Sequence, residues 1–311
     1  MRQRMTISYM NSRFYLLFAS LLLSILMITF SSGCFEGEEA LEVSLEVTEI
    51  PKNQITDERP VRIGVFSMAS PKTTMEFYQG FLSYLSEDNG LDFELVQRDN
   101  PAEINYLLKN RYLDAAFVRE NDYMEGHGDF GMEVMAVPVI HGDLFYSSYV
   151  IVRSDGNINS LEDLHNKRFA FNAYRFNKGE IVPEYMKPVI NESPESFFSS
   201  YIYSNSQDNF IDMVLQGSIE GAEVDCIMWA YIVENSADHS SNLKIIDSSH
   251  PQLVPVIAVH PDIDKELKGK IQSSLLRMHD DPEGRVVLDD MHFNMFVEME
   301  HSTYASFGNE L

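Results

Sequence analysis

Short apolar runs that alternate with helix-start signals dominate the sequence from residue 61 onward. Val61–Phe66 is rich in apolar and β-branched residues, which is typical of a buried parallel strand. Ser70 and Pro71 follow, and they predict the N-cap and the first position of a helix that runs to about residue 88. Further strands are predicted at Leu91–Gln97, Asp114–Val118, Val134–Ile140 and Leu144–Val152. This alternation predicts an α/β fold with a doubly wound, mostly parallel sheet.

The alternation restarts after residue 154, which predicts a second α/β lobe inserted into the first. Its strands are predicted at Arg168–Asn172, Phe197–Tyr203, Ala222–Met228 and Leu243–Asp247, and Val254–Val259 is predicted to return to the first lobe. Helices are predicted after Asn100, at Ser160–His165, Lys178–Val189 and Gln207–Gln216, from Met228 through Glu234, and at Pro261–Met278. We expect the first lobe to comprise residues 60–148 and 254–311, and the second lobe residues 149–253.

Residues 1–33 have the pattern of an export signal. Arg2, Arg4 and Arg13 are the only charged residues there, and the apolar run Phe14–Phe30 follows them. The small residues that lead into Cys34 resemble a lipobox, the site at which lipoproteins are cleaved and acylated, although Ser31 stands at the position of the usual Leu. An uncleaved anchor helix is the alternative. Both interpretations place the chain outside the cytoplasmic membrane and tethered to it, with the Glu-rich residues 34–59 as a flexible tether.

The composition argues against several classes of function. Hydrophobic residues make up 44% of the chain, enough for a folded core, and the net charge of −25 argues against a nucleic-acid binder. The nine histidines show no metal-ligand spacing, and no HExxH, CxxC, GxSxG or phosphate-loop motif occurs. We therefore expect no catalysis, no metal and no cofactor. Acylation of Cys34 would leave Cys226 without a disulfide partner, so Cys226 is expected to be a buried core residue.

Several short motifs occur in an order and spacing shared with one family of proteins. They are ASP at 69–71, YLS at 84–86, YVIVRSD at 149–155, SLEDL at 160–164, KRFAF at 167–171, PEYM at 183–186 and DDPEGR at 280–285. From Arg59 to about Val297 the chain resembles the phosphate, phosphite and phosphonate family of ABC-transporter substrate-binding lipoproteins. The resemblance implies a type II periplasmic-binding-protein fold, in which two hinge strands join two lobes that close on a ligand. It also implies delivery of a small anionic solute to an ABC permease in the membrane. We expect the protein to be a monomer.

Given this fold, the candidate ligand-binding residues lie where strands end and loops or helices begin. They are Ser67, Met68, Ser70, Arg119, Tyr149, Asn172, Tyr174, Arg175, Asn177, Ser204, Asn205, Gln207 and Trp229. An arginine can grip an anion through two donors, but a salt bridge within the protein is an equally good reading. The hydroxyls and amides could instead cap helices, and the aromatic residues could instead pack in the core. The resemblance places a His and a small hydroxyl-rich loop at the ligand, whereas this chain has Gln207 and the bulky loop 173–179.

Three functions compete at this point. The first is a receptor that captures a phosphonate-like or phosphate-like anion for transport. The second is a sensory module that reports a ligand to a membrane signalling partner, or a binding protein that has been redirected to another organic solute. The third, an enzyme on the same fold, is disfavoured by the export signal.

Overall fold

A computed structural model describes residues 59–172, 186–191, 193–234 and 236–308. Its strands are β1 (Val61–Phe66), β2 (Phe93–Arg98), β3 (Ala115–Val118), β4 (Glu133–Ile140), β5 (Phe145–Tyr146), β6 (Ser148–Arg153), β7 (Arg168–Asn172), β8 (Ser200–Ser204), β9 (Gly221–Asp225), β10 (Leu243–Ser248), β11 (Gln252–Leu253), β12 (Val256–Val259) and β13 (Phe293–Val297). Its α-helices are α1 (Pro71–Asn89), α2 (Pro101–Lys109), α3 (Glu120–Phe130), α4 (Pro194–Phe197), α5 (Gln207–Leu215), α6 (Cys226–Met228), α7 (Ala237–Asn242), α8 (Lys265–Arg277), α9 (Pro282–Asp290) and α10 (His301–Gly308). A 3₁₀ turn spans Glu162–Leu164, and a π-helical segment, Trp229–Glu234, continues α6.

The first sheet has six strands in the order β13–β4–β12–β3–β1–β2. Strand β1 pairs in parallel with β2 and β3, whereas β12 lies antiparallel between β3 and β4. The chain therefore leaves this sheet after β4, builds the whole second sheet, and returns at β12. We call the first sheet with its helices the first lobe.

The second sheet has five strands in the order β10–β6–β9–β7–β8. Strand β7 pairs in parallel with β8 and β9, and β6 is antiparallel to β9 and β10. We call this sheet with its helices the second lobe. The short antiparallel pair β5 and β11 lies at the two chain passages between the lobes. The chain thus has two α/β lobes with the second inserted into the first, as the sequence predicted, and this is the type II periplasmic-binding-protein arrangement that the resemblance implied. Both sheets combine parallel and antiparallel pairs, so they are less parallel than predicted.

Local capping sets the helix starts at the carboxyl ends of β1 and β2. The Ser70 side chain accepts a hydrogen bond from the Thr73 amide at the start of α1, and Asn100 does the same for Ala102 in α2. Each helix has Pro at its first position, as predicted. Helix α1 ends at Gly90, whose φ of +62° suits a residue without a side chain. These caps fix where the loops of the interlobe cleft begin.

Helix α1 packs an aromatic face against the first sheet. Phe77, Phe81 and Leu85 are buried on it. The Phe81 ring meets Phe117 of β3 and Phe296 of β13 at centroid distances of 5.6 and 5.9 Å. Because aromatic pairs at such distances add to the free energy gained from burial, this face holds α1 firmly in place.

Two strand predictions were wrong in their extent. The predicted strand Phe197–Tyr203 begins later, at Ser200, because Phe197 is the last residue of the short helix α4, which starts at Pro194. The predicted strand Ala222–Met228 ends at Asp225, and the chain becomes helical at Cys226. A short apolar run cannot be assigned to strand or helix from periodicity alone. Cys226 itself is buried, as expected.

Other predictions were close, or lie partly outside the described residues. The predicted strand Leu144–Val152 is divided into β5 and β6 at Ser147. The predicted helix Pro261–Met278 is α8, which starts later because Asp264 accepts the Leu267 amide as its cap. The predicted helix Lys178–Val189 lies mostly outside the described part of the chain, and residues 1–58 lie outside it entirely. Among the residues described, no helix is long and apolar enough to cross a bilayer.

Candidate functional site

A small cavity lies at the carboxyl edge of the first sheet, where the second lobe meets it. Its volume is about 20 Å³, which is enough for roughly one water molecule. Its lining is mostly apolar and consists of Phe66, Met68, Tyr78, Phe117, Arg119, Pro138, Ile227, Pro255 and Phe293. All of these residues except Ile227 belong to the first lobe or the chain segments that join it. Ile227 of the second lobe closes one side of the cavity, so the cavity lies where the two lobes meet.

Arg119 supplies the positive charge in this cavity. It follows β3 directly, and only 7% of its surface is exposed. Its guanidinium carbon lies 4.6 Å from the centroid of the Phe66 ring, which is a cation–π contact. Its Nη2 lies 3.8 Å from Oδ2 of Asp225 in the second lobe. A buried cation and a buried anion from different lobes thus face each other across the cleft.

Asp225 ends β9 and is held by a network of hydrogen bonds. Ser148 Oγ donates to its Oδ1 at 3.0 Å, and Gln207 Nε2 donates to its Oδ2 at 2.8 Å. Asn172 Nδ2 lies 3.4 Å from the same Oδ2. In return, the Asp225 amide donates to Gln207 Oε1 at 2.6 Å. Because a buried carboxylate is tolerated only when its oxygens have hydrogen-bond partners, these donors are what allow Asp225 to be buried here.

Tyr78 of α1 lines the same cavity and stays protonated. Burial raises the pKa of Tyr78 far above its usual range, and the nearby charge of Arg119 opposes that rise only in part. At neutral pH the phenol is therefore a hydrogen-bond donor. The cavity combines one cation, one neutral donor and an apolar wall, which suits a small anion with an apolar substituent.

The start of α5 binds the start of α1 across the cleft. The Ser70 amide donates to Asp208 Oδ1 at 2.9 Å, and Thr73 Oγ1 donates to Asp208 Oδ2 at 2.8 Å. The Gln207 amide donates to the Met68 carbonyl at 3.3 Å. Asn205 Nδ2 donates to the Asp99 carbonyl at 3.3 Å. We call this set of contacts the interlobe clasp; it consists of Met68, Ser70, Thr73 and Asp99 of the first lobe and Asn205, Gln207 and Asp208 of the second.

Four of the predicted residues gather around the cavity and Asp225. Met68 and Arg119 line the cavity, and Asn172 and Gln207 hold the Asp225 carboxylate. Gln207 is fully buried, and Asn172 is 3% exposed. These four side chains come from both lobes, so only closure of the cleft brings them together.

The other predicted residues have different surroundings. Ser67 and Asn205 line a separate open groove of about 650 Å³ along the carboxyl end of β2. Ser204 Oγ accepts a hydrogen bond from the Ser206 amide at 3.2 Å, which is a local turn contact. Tyr149 and Trp229 form an edge-to-face pair at 6.3 Å against a core cluster of the second lobe. Tyr174, Arg175 and Asn177 lie outside the described residues, as does Cys34.

Sequence reasoning missed three side chains of this region. Asp225 was read as the interior of a strand, although an acidic residue at a strand end is the signal that could have marked it. Tyr78 lies on the same helix as Phe77 and Phe81, and nothing local distinguishes it from those core aromatics. Asp208 resembles an ordinary acidic residue in the first turn of a helix, and nothing local indicates that it contacts the other lobe. In the described part of the chain, no group of three or more metal-ligating side chains is placed to hold an ion.

Comparison with known proteins gives one family and a consistent set of folds. The family model for the periplasmic substrate-binding protein of phosphonate ABC transporters matches residues 63–304. A binding-protein component of an ABC phosphonate transporter from Pseudomonas aeruginosa is similar with a TM-score of 0.69 and 20% identity, over 80% of this chain and 85% of that one. PhnD1 from Prochlorococcus marinus, solved with methylphosphonate, gives a TM-score of 0.65 and 16% identity, over 80% of this chain and 96% of that one. A Xanthomonas citri protein bound to ATP gives a TM-score of 0.55 and 14% identity, over 80% and 95% of the two chains.

At these identities the solved structures establish the fold, and the family model extends over most of the chain. The chain belongs to the family of periplasmic substrate-binding proteins of phosphonate ABC transporters, two-lobed extracytoplasmic proteins that bind a small solute and work with a membrane permease.

Proposed function

We propose that the solute of this protein is a small organophosphonate, bound in the interlobe cleft with its anionic group at Arg119. The observation that carries this proposal is a buried arginine in an interlobe cavity whose other walls are mostly apolar. Arg119 and the Tyr78 hydroxyl offer donors to the oxygens, and Phe66, Phe117 and Phe293 offer apolar surface to an organic substituent. Inorganic phosphate would leave its additional hydroxyl against apolar walls, which costs free energy. An alkylphosphonate is therefore preferred over phosphate.

Ligand entry requires the cleft to open. A cavity of about 20 Å³ is far smaller than a phosphonate. The lobes must separate to admit the solute and then close on it, which places Asp225 and Gln207 near the bound molecule. A ligand with an ammonium group would gain from the Asp225 carboxylate, so aminoalkylphosphonates belong in the same ligand class.

Several further features complete the proposal. The lobes comprise residues 60–148 with 254–311, and 149–253. Residues 1–33 are a signal segment, Cys34 carries the lipid, and residues 34–59 are the tether that holds a monomer at the membrane. Tyr174, Arg175 and Asn177 contact the ligand from the second lobe, and Ser67, Ser70, Ser204 and Asn205 border the cleft mouth. The protein binds its solute without chemical conversion.

Ligand-induced stabilisation tests the solute class. We would record thermal unfolding with methylphosphonate, ethylphosphonate, 2-aminoethylphosphonate, phosphate, sulfate and small carboxylates. A ligand at 100 times its Kd adds about 2.7 kcal/mol to the free energy of unfolding, which raises the unfolding temperature by several degrees.

We expect the unfolding temperature to rise with the phosphonates, to rise less or not at all with phosphate, and to show no response in Arg119→Met. Arg277→Met, which removes a surface arginine, is the matched control and should keep the response. A shift only with carboxylates would reject the phosphonate proposal.

Lipidation is tested separately. Metabolic labelling with a palmitate analogue should mark the wild-type protein and fail to mark Cys34→Ala. If the Cys34→Ala protein is still labelled, Cys34 is not the lipid site. If neither protein is labelled, the uncleaved anchor helix becomes the better reading of residues 1–33.

A further inference from the structure

The carboxylate of Asp208, in the second lobe, binds at the N-terminus of helix α1 in the first lobe. Asp208 accepts the Ser70 amide at 2.9 Å and the Thr73 hydroxyl at 2.8 Å, and both donors lie at the start of α1, a helix of 19 residues. Free amides and the positive end of a long helix make such a position attractive to an anion. Here the anion is a side chain of the same protein.

Asp208 also lies in the first turn of its own helix, α5. Ser206 at the N-cap makes no side-chain capping bond, and the Asn209 amide interacts with Asp208. The N-termini of α1 and α5 therefore approach each other from opposite lobes, and their positive ends would repel. The Asp208 carboxylate lies between them and compensates both.

The charge of Asp208 is stabilised by this environment. Burial tends to raise the pKa of Asp208, but the hydrogen bonds from Ser70 and Thr73 outweigh burial and lower it below its ordinary value. The carboxylate is thus ionised at neutral pH, and it exchanges water for three protein donors when the lobes meet.

The same stretch of chain also reaches the ligand cavity. Gln207, the residue before Asp208, donates its amide to Met68 of the first lobe, and its side chain holds Asp225 opposite Arg119. Two consecutive residues therefore connect the interlobe clasp to the cavity. Separation of the lobes would break the Asp208 contacts and the Arg119–Asp225 pair together.

We propose that Asp208 is the positioning residue that holds the cleft closed, by docking its carboxylate onto the N-terminus of α1 in the opposite lobe. The clasp stabilises the closed form with or without solute, and it slows solute release because the cleft must open first. This inference rests on the proposed function for its effect on solute binding, but the docking itself is independent of which solute binds. Removal of the docking contact should raise the dissociation rate, and it should also raise the association rate, because solute enters and leaves only through the open cleft.

The test uses two variants that remove different halves of the contact. Asp208→Asn removes the charge at nearly constant volume, and Thr73→Val removes the hydroxyl donor on α1. Asp212→Asn is the matched control, because Asp212 is an exposed residue of the same helix. Two readouts need no solute: the radius of gyration from small-angle scattering, and the hydrogen-exchange rate of the Ser70 amide. The third readout is the release rate of methylphosphonate measured by stopped flow.

We expect both variants to increase the radius of gyration and to accelerate exchange of the Ser70 amide. Solute release should become roughly 10- to 100-fold faster, because losing the stabilisation from hydrogen bonds to a charged group changes a rate by about this factor. The double variant should be little worse than Asp208→Asn alone, because both changes remove one contact. The control should match the wild type in every readout.

The outcomes separate this inference from the proposed function. Unchanged scattering and unchanged Ser70 exchange in both variants would overturn the clasp, even if methylphosphonate binds normally. Changed scattering and exchange without any methylphosphonate binding would support the clasp while the proposed solute fails. Strictly additive effects of the two substitutions on exchange would also overturn it, since the residues would then act separately.

Discussion

At the scale of single residues, one carboxylate in the cleft, that of Asp225, accepts hydrogen bonds at both of its oxygens. Asp225 receives donors from Ser148, Gln207 and Asn172 and faces Arg119. The donors belong to β6, β7 and α5, so the carboxylate joins three elements of the second lobe. Gln207 contributes twice, as a side-chain donor to the carboxylate and as an acceptor for the backbone amide. The network gives hydrogen-bond partners to both carboxylate oxygens of a residue that is only 2% exposed.

Asp225→Asn should destabilise the protein. The substitution removes the negative charge, turns one oxygen acceptor into a donor, and leaves the donor of Gln207 or Asn172 without an acceptor. We expect the free energy of unfolding to fall by about 1.5–3 kcal/mol, as for hydrogen bonds to a charged group. Urea unfolding measures this as a lower midpoint at unchanged slope.

Asp289→Asn is the control for this prediction. Asp289 is exposed near the end of α9, so its substitution should leave the midpoint within experimental error. Equal midpoints for wild type and Asp225→Asn would mean that the network contributes no net stability.

At the scale of elements, helix α9 packs closely on the turn that precedes it. A Cβ built on Gly284 would lie 2.3 Å from the Met278 carbonyl oxygen and 2.9 Å from Met278 Cγ. Backbone cannot move away cheaply, so only glycine allows this approach. By contrast, a Cβ on Gly269 of α8 would meet nothing within 4 Å.

Gly284→Ala and Gly269→Ala should therefore differ in sign. Gly284→Ala should lower the free energy of unfolding by about 1–3 kcal/mol, the usual cost of overpacking. Gly269→Ala should raise it by up to about 1 kcal/mol, because alanine favours an exposed helix interior over glycine. Thermal unfolding of the two variants decides this, and a stabilised Gly284→Ala would contradict the close approach.

The last described helix, α10, is attached through an aromatic and imidazole cluster. The Tyr123 hydroxyl lies 2.9 Å from His301 Nδ1, and the rings of His301 and His127 stack at 3.5 Å. Burial lowers the pKa of His301, and the neighbouring His127 lowers it further. The folded protein therefore keeps His301 neutral at a pH where the unfolded chain would protonate it.

Acidification should weaken this attachment. A lowered pKa means that the stabilisation is present above the ordinary value for His, near 6.5, and is lost as the pH falls through the folded value. Between pH 7.5 and 5.5 the wild type should lose more stability than His301→Gln. His250→Gln, at an exposed position, should behave like the wild type. If His301→Gln and the wild type lose the same stability between pH 7.5 and 5.5, His301 is not the group responsible for the loss.

At the scale of the whole molecule, the net charge of −25 acts against compactness. Many exposed ion pairs are present, such as Lys109 with Asp129 at 2.7 Å, but such pairs contribute little each. Screening shortens the range of repulsion from roughly 30 Å at 0.01 M salt to about 3 Å at 1 M. Repulsion among the carboxylates should therefore outweigh the pairs at low salt.

The unfolding temperature should rise when sodium chloride is increased from 10 mM to 500 mM. Relief of repulsion over the whole surface is the physical reason, and the rise should be the same with potassium chloride. A calorimetric scan at each salt concentration measures it. A fall in the unfolding temperature would show that the local ion pairs outweigh the net charge.

The sequence by itself determined the alternating elements and the caps of α1 and α2. All of these depend on residues a few positions apart, where capping geometry and hydrophobic period act without the rest of the fold. It also predicted Met68, Arg119, Asn172 and Gln207 as ligand-binding residues, and these four lie around the cavity and Asp225 because strand ends gather at one edge of a sheet.

Only the tertiary structure decided that Asp225 is their common partner and that Asp208 docks on α1. Asp208 and Ser70 are 138 positions apart, and their contact exists because the chain leaves the first sheet after β4, builds a second one and returns at β12. The end of the predicted strand at Asp225 was likewise decided by packing, since the apolar run continues through Met228. Local pattern fixes which side chains lie at a strand end, whereas the pairing of two lobes fixes which of them meet.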